Sequence, residues 1–170
     1  MEIKYTLTEE DYLKFNLFHI KNSDTAAKSL KMQRFITPFV YIVLAFVFSK
    51  MMDVPLLYTL IPFAIVGVLW IIFYPKYFYR VVVRQTKKMI KEGKNEGLLG
   101  SHTMFLNDEG IRDTNATGET KVNWSGILHL KEDHDNLYVY NSSVSAYILP
   151  KRELGNHEEF KKYIHTKLSE

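Results

Sequence analysis

Cysteine is absent from the chain. Disulfides, thiolate metal sites and cysteine nucleophiles are excluded with it, and the absence suits a reducing compartment without requiring one. The opening residues Met1 to Asp11 lack the basic flank and apolar stretch of a signal peptide. Any membrane segments are therefore expected to insert without a cleaved leader. There is no His-Glu-x-x-His, no Gly-x-Gly-x-x-Gly, no phosphate-binding loop and no Gly-x-Ser-x-Gly. No familiar metalloprotease, dinucleotide or serine-hydrolase signature is present.

Charge is missing from one long stretch and crowded beside it. Val54 to Pro75 is 22 residues without a charge. A span needs about 20 apolar residues to cross a hydrocarbon core of about 30 Å, and this run meets that unaided. Trp70 and Tyr74 lie toward one end, where interfacial aromatics belong. Phe35 to Ser49 is charge-free over 15 residues. With Lys50 snorkelling and Met51 and Met52 continuing the apolar surface, it reaches 18 residues, or about 27 Å. Pro38 is expected in the first turn of this run, where its missing N–H costs little. The short break around Asp53 and Pro55 makes the two runs antiparallel neighbours.

Basic residues set the orientation. Lys28, Lys31 and Arg34 precede the first run. Lys76, Arg80, Arg84, Lys87, Lys88, Lys91 and Lys94 follow the second, against the single acid Glu92. That segment carries +6 of a chain whose net charge is +3. By the positive-inside rule both termini are expected in the cytoplasm. Apart from the snorkelling Lys50 at the end of the first, neither span holds an ionisable Asp, Glu, Lys, Arg or His, which argues against a transporter or channel acting alone. At intervals of three or four, Lys76, Arg80, Arg84, Lys87, Lys88 and Lys91 form one helical stripe suited to anionic headgroups. Such a stripe is also the ordinary flank of a span in this orientation.

The remainder reads as a soluble part. Ile3, Tyr5 and Leu7 alternate as in a half-buried strand, and Thr8 with Asp11 caps a helix from Glu9 to about Asn22. Ser23 and Asp24 cap a second helix leading into the first span. From Ser101 the period changes to two. Six short strands with turns at Asn107–Gly110, Ala116–Gly118, Glu132–Asn136 and Asn141–Ser143 predict a meandering antiparallel sheet. A helix capped by Asn156 follows, with Phe160, Tyr163, Ile164 and Leu168 on one face. Adding the N-terminal strand gives seven strands and a closing helix, the element count of a pleckstrin-homology-like (PH-like) barrel.

The expected fold is therefore an α+β membrane protein: a two-helix transmembrane hairpin with a cytoplasmic antiparallel β domain closed by a C-terminal helix. The linear division is residues 1–34, the N-terminal strand and helix; 35–75, the hairpin, with spans of about 35–52 and 54–75; 76–99, a basic juxtamembrane helix and linker; and 100–170, the β-rich domain.

Three segments carry a resemblance. Trp124-Ser125-Gly126-Ile127 is similar to a Trp-Ser-x-Ile step, Asn136 to Tyr140 to an aromatic strand, and Ala146 to Arg152 to a closing strand with a Pro-Lys-Arg turn. In these and in its order of elements the chain resembles the bacterial YcxB-like membrane proteins. After Arg152 the sequence has Glu153-Leu154 in place of a small residue and Phe, and the likeness fades. The resemblance implies a PH-like cytoplasmic domain and a bacterial cell membrane, and it implies no activity.

Reactive groups are sparse. The tip Asp133-His134-Asp135 reads as a solvated turn rather than a metal site, and no cofactor or metal is expected. Trp124 is expected in the core. Lys151 and Arg152, leaving a strand end after Pro150, are the candidate binding residues for anionic lipid, phosphate or an acidic partner. The leading expectation is a non-enzymatic membrane-anchored binding or scaffold module. Its partners would be the bilayer, a protein or a second copy of the chain, and not nucleic acid. A competing membrane hydrolase or transferase requires a concave pocket holding His102 or His129 beside a carboxylate. A regulatory subunit acting through its spans requires hairpin substitutions to matter more than those in the β domain.

Overall fold

A computed structural model describes residues 1–92 and 97–169. The chain is α+β, with four helices and two antiparallel sheets among the described residues. Contacts divide it into two units: Met1–His19 with Thr86–Glu170, and Ile20–Gln85.

The first unit joins the two ends of the sequence. Strand β1 (Glu2–Leu7) pairs antiparallel with β2 (Gly100–Leu106) along its full length, Ile3 opposite Met104 and Tyr5 opposite His102. Strands β3 (Gly110–Asn115) and β4 (Gly118–Asn123) complete a four-stranded sheet. Strands β5 (His129–Glu132), β6 (Asn136–Tyr140) and β7 (Ala146–Pro150) form a three-stranded one. The six C-terminal strands expected from period-two alternation are all present. The N-terminal strand completes the larger sheet, so residues 20–85 are inserted in sequence between two paired strands.

Alternation alone misreads the second sheet. All five residues of β6 are buried, as are four of five in β7. One face (Leu137, Val139, Tyr147, Leu149) packs with Met104, Leu106, Ile111 and two residues of the C-terminal helix α4 (His157–Ser169), Phe160 and Ile164. The other face (Tyr138, Tyr140, Ile148) packs with Phe15 of helix α1 (Glu9–Lys21). A sheet covered on both sides has no polar phase. Trp124 opens a short 3-10 turn (Trp124–Gly126), half-buried against the core, and its indole N–H donates to the Asn107 carbonyl at 2.9 Å.

The second unit is a helical pair. Helix α2 (Asp24–Met51) begins at Ser23, whose side chain accepts from the Ala26 N–H, and α3 runs unbroken from Leu56 to Glu92. Both are long and apolar enough to cross a membrane, and only 11% of each apolar window is buried within the chain. The four-residue connection places Asp53 at φ 52°, a left-handed turn, and the Ser49 hydroxyl donates to the Val54 carbonyl. Gly67 lets the helices close: a Cβ there would lie 3.4 Å from Pro38 Cβ. Arg34 donates to the Ile71 carbonyl at 2.8 Å, and the Trp70 indole to that of Gln33. Pro38 is not in a first turn. Because α2 starts at Asp24, this proline lies well inside the helix, as do Pro62 and Pro75 in α3. Each of these prolines removes one intrahelical N–H donor, and the helix continues through it.

Candidate functional site

Register assembles the polar groups. On the inner face of the larger sheet, side chains recur at every second residue: Ile3, Tyr5 and Leu7 on β1; His102, Met104 and Leu106 on β2; Ile111, Asp113 and Asn115 on β3; Thr120 and Val122 on β4. One end of this face is apolar. The other carries Tyr5, His102, Asp113, Asn115 and Thr120.

Three of these form a closed chain. The Tyr5 hydroxyl donates to Asp113 Oδ1 at 3.0 Å, and His102 Nδ1 lies 2.8 Å from Asp113 Oδ2. The Tyr5 and His102 rings stack with centroids 5.1 Å apart. All three residues are buried. Burial first, then the Asp113 charge and its hydrogen bond, push the Tyr5 hydroxyl well above its usual range, so it stays a donor. A carboxylate on the Nδ1 side places the ring hydrogen there. Nε2 of His102 is buried and has no partner among the described residues.

The triad lines a cavity of about 560 Å³ that also touches Tyr12 and Phe15 of α1 and Tyr147 of β7. Its volume is in the range of small-molecule sites. Thr120 and Tyr147 hydroxyls approach to 3.4 Å across it. The pocket with His102 beside a carboxylate is thus present, whereas His129 packs on the Tyr140 ring at 4.6 Å. Burial, then Lys131, lowers the affinity of His129 for a proton.

Lys151 and Arg152 are both engaged within the first unit. Lys151 Nζ lies 2.7 Å from Glu132 and donates to the Asp133 carbonyl at 2.7 Å. Arg152 grips Asp11 with two hydrogen bonds, 2.8 and 2.7 Å, and reaches the Thr6 carbonyl at 3.3 Å. Asp11 is only 1% exposed. It also accepts from the Thr8 N–H and hydroxyl at the start of α1. Burial alone would raise this carboxyl, but the Arg152 and Thr8 hydrogen bonds outweigh it and hold the group below its usual range. Each of these cations is paired with an acid of its own chain, and Arg152 remains open to solvent on its other side. At the acidic tip, Asp133 accepts from the Asp135 and Asn136 N–H groups and from the Tyr138 hydroxyl, so its oxygens close the turn.

The basic stripe is differently placed. Lys76, Arg80, Arg84, Lys87, Lys88 and Lys91 are all exposed on α3. At about 100° per residue they fall in a sector of about 120° and extend about 22 Å along the axis. Lys88 pairs with Glu92 at 3.5 Å. Lys94 lies outside the described residues.

Asp113, Tyr5 and Asp11 escaped the sequence reading as functional residues. The signal for Asp113 was there: it occupies the same phase as Ile111, so a charge was due on the inner face. Its pairing with His102 needed the β2–β3 register.

Residues 106–165 match the family model described as YcxB-like protein. The match runs from the end of β2 into α4, takes in all three resembling segments and continues past Glu153-Leu154. Leu154 is buried in the core there. Comparisons with curated proteins and with solved structures find no match.

Proposed function

We propose that the chain is a membrane-anchored cytoplasmic binding or scaffold module. In this reading α2 and α3 cross the bacterial cell membrane, both termini are cytoplasmic, and the first unit is a PH-like domain whose anchor contacts anionic lipid. Four strands and three strands in sequential order, followed by a helix, support the PH-like assignment. The observation that carries the anchoring role is the β1–β2 ladder, since the helical hairpin leaves and re-enters the chain between two paired strands. Large exposed apolar side chains on α2 and α3, such as Phe39, Leu57 and Phe73, need a covering that water does not provide.

The cations divide by distance. Lys76 and Arg80 lie within about 8 Å of axial rise from the end of the apolar run, roughly one Debye length at physiological salt. Each cation near the surface contributes about 1 kcal/mol toward anionic headgroups. For an upright helix Lys87 and Lys91 are largely screened. Full-length protein in mixed nanodiscs should therefore enrich phosphatidylglycerol over phosphatidylcholine, and alanine at Lys76 and Arg80 should remove most of that enrichment. Equal retention of both lipids by the unaltered protein would end the lipid assignment. The absence of native cysteine makes topology direct to map. A cysteine at Asp53 should react with an impermeant maleimide in intact cells and one at Thr166 only after permeabilisation; the reverse pattern would overturn the orientation.

His102 beside Asp113 favours one second reading, a hydrolase or transferase. A His–carboxylate pair is the base half of a nucleophilic device. Thr120 and Ser145 line the same cavity, but neither bonds to Nε2, so binding is the better supported role. Hydrolysis of short-chain p-nitrophenyl esters that disappears in His102→Gln would favour the enzyme; equal rates in both proteins would exclude it for that class.

A further inference from the structure

Pro75 lies inside α3, and the carbonyl that its missing N–H leaves open is that of Ile71, four residues back. Arg34 of α2 fills the gap, its Nε donating to that carbonyl at 2.8 Å. Beside it, the Gln33 carbonyl accepts from the Trp70 indole at 3.3 Å and the Gln33 side chain from the Tyr74 hydroxyl. Trp70 and Tyr74 stack with ring centroids 4.7 Å apart. The guanidinium is thus held from one side, and both Nη nitrogens are left without a hydrogen-bond partner among the described residues. No carboxylate of the helical unit is near. Its only acids are Asp24, about 15 Å back along α2, and Asp53, in the connection at the far end of the pair.

This contact sits at an edge of the apolar surface. Arg34 directly precedes the charge-free run that begins at Phe35, and Ile71 lies about one turn inside the end of the other run at Pro75. If α2 and α3 span the membrane, hydrocarbon gives way there to glycerol and phosphate, the level to which Trp70 and Tyr74 belong. A guanidinium with its Nη edge open presents two parallel donors, which match two oxygens of one phosphate.

We propose that Arg34 binds the phosphodiester of a membrane phospholipid through its two Nη nitrogens, held in place by the Ile71 carbonyl. The site rests on the membrane reading of α2 and α3. It differs from the charge preference of the α3 stripe because it requires the phosphate itself and not a net negative headgroup.

The test follows the arginine side-chain nitrogens by NMR in full-length, arginine-labelled protein in maltoside micelles, which contain no phosphate. The probes are dihexanoyl phosphatidylcholine, dihexanoyl phosphatidylglycerol, dihexanoylglycerol and glycerol phosphate. Both phospholipids should shift the Arg34 resonances saturably, and dihexanoylglycerol should leave them in place. Glycerol phosphate, without chains to seat it, should bind at least about tenfold more weakly, the worth of about two buried methylenes. The Arg34→Lys spectrum assigns the signal and is not needed for the binding result. The proposal fails if either phospholipid leaves Arg34 unmoved, if dihexanoylglycerol moves it equally, or if glycerol phosphate binds as tightly as the phospholipids. Failure of the membrane reading shows separately, in the maleimide labelling of Asp53→Cys.

Discussion

Replacing Arg152 with alanine would remove both hydrogen bonds from Asp11 while leaving that carboxylate at 1% exposure, capped only by Thr8. Breaking a fully buried ion pair costs about 3–5 kcal/mol, whereas an exposed pair contributes at most about 1 kcal/mol. The Arg152 side chain is 47% exposed, so water can enter the vacated side, and the expected loss is about 2 kcal/mol. That energy is local, because Arg152 joins the segment after β7 to α1 and, through the Thr6 carbonyl, to β1. Hydrogen exchange on the full-length protein in nanodiscs should show amides of α1 and β1 exchanging roughly thirtyfold faster. Asp11→Asn combined with Arg152→Ala should cost less than the sum of the two single changes. The folded Asp11 carboxyl is held below its usual range, so its stabilisation is present above about pH 4 and lost as pH falls through the lowered value. Unchanged exchange in α1, or strictly additive effects, would refute the reasoning. The same contacts bear on any charge reversal at Lys151 and Arg152. Such a variant loosens α1 first, so lost lipid binding would count only with exchange protection intact.

Glu132 is drawn down to about 2 by Lys151 and then Lys161; because this is below the ordinary glutamate value of about 4.3, its stabilisation should fade as pH falls from there toward 2. Glu132→Gln should flatten that part of the acid-unfolding profile, and an unchanged profile would show that solvent already screens the group. Gly67→Ala should shift hairpin unfolding little, since its methyl meets Pro38 at 3.4 Å, whereas Gly67→Leu should cost about 1–3 kcal/mol by wedging α2 from α3; equal effects in a thermal melt would contradict the close approach. Tyr5→Phe removes the donor to Asp113 Oδ1 and should cost about 2 kcal/mol, read as a lower unfolding midpoint, with no change arguing against the closed triad.

Local pattern was enough to locate most elements. The apolar runs, the capping pair Thr8–Asp11, the Ser23 cap and the six C-terminal strands all depend on residues close in sequence, and each appears in the structure. Pro38 was misplaced because its turn was counted from the first apolar residue, Phe35, and not from the Ser23 cap where the helix starts. Lys151 and Arg152 read as free cations because their acids lie elsewhere in the chain: Glu132 on β5 and Asp11 on α1. His102 was singled out with His129 as a histidine that would need a carboxylate beside it, but nothing local named Asp113 as that carboxylate.

What the sequence determined by itself was the order of helices and strands and the uneven placement of charge, both properties of spacing along the chain. Tertiary structure alone decided that β1 closes the larger sheet across the inserted hairpin, and that α1 covers the second sheet so both its faces are buried. It also decided that Tyr5, His102 and Asp113 meet at one cavity. Those outcomes depend on strand register, and a shift of one residue would turn each side chain to the opposite face.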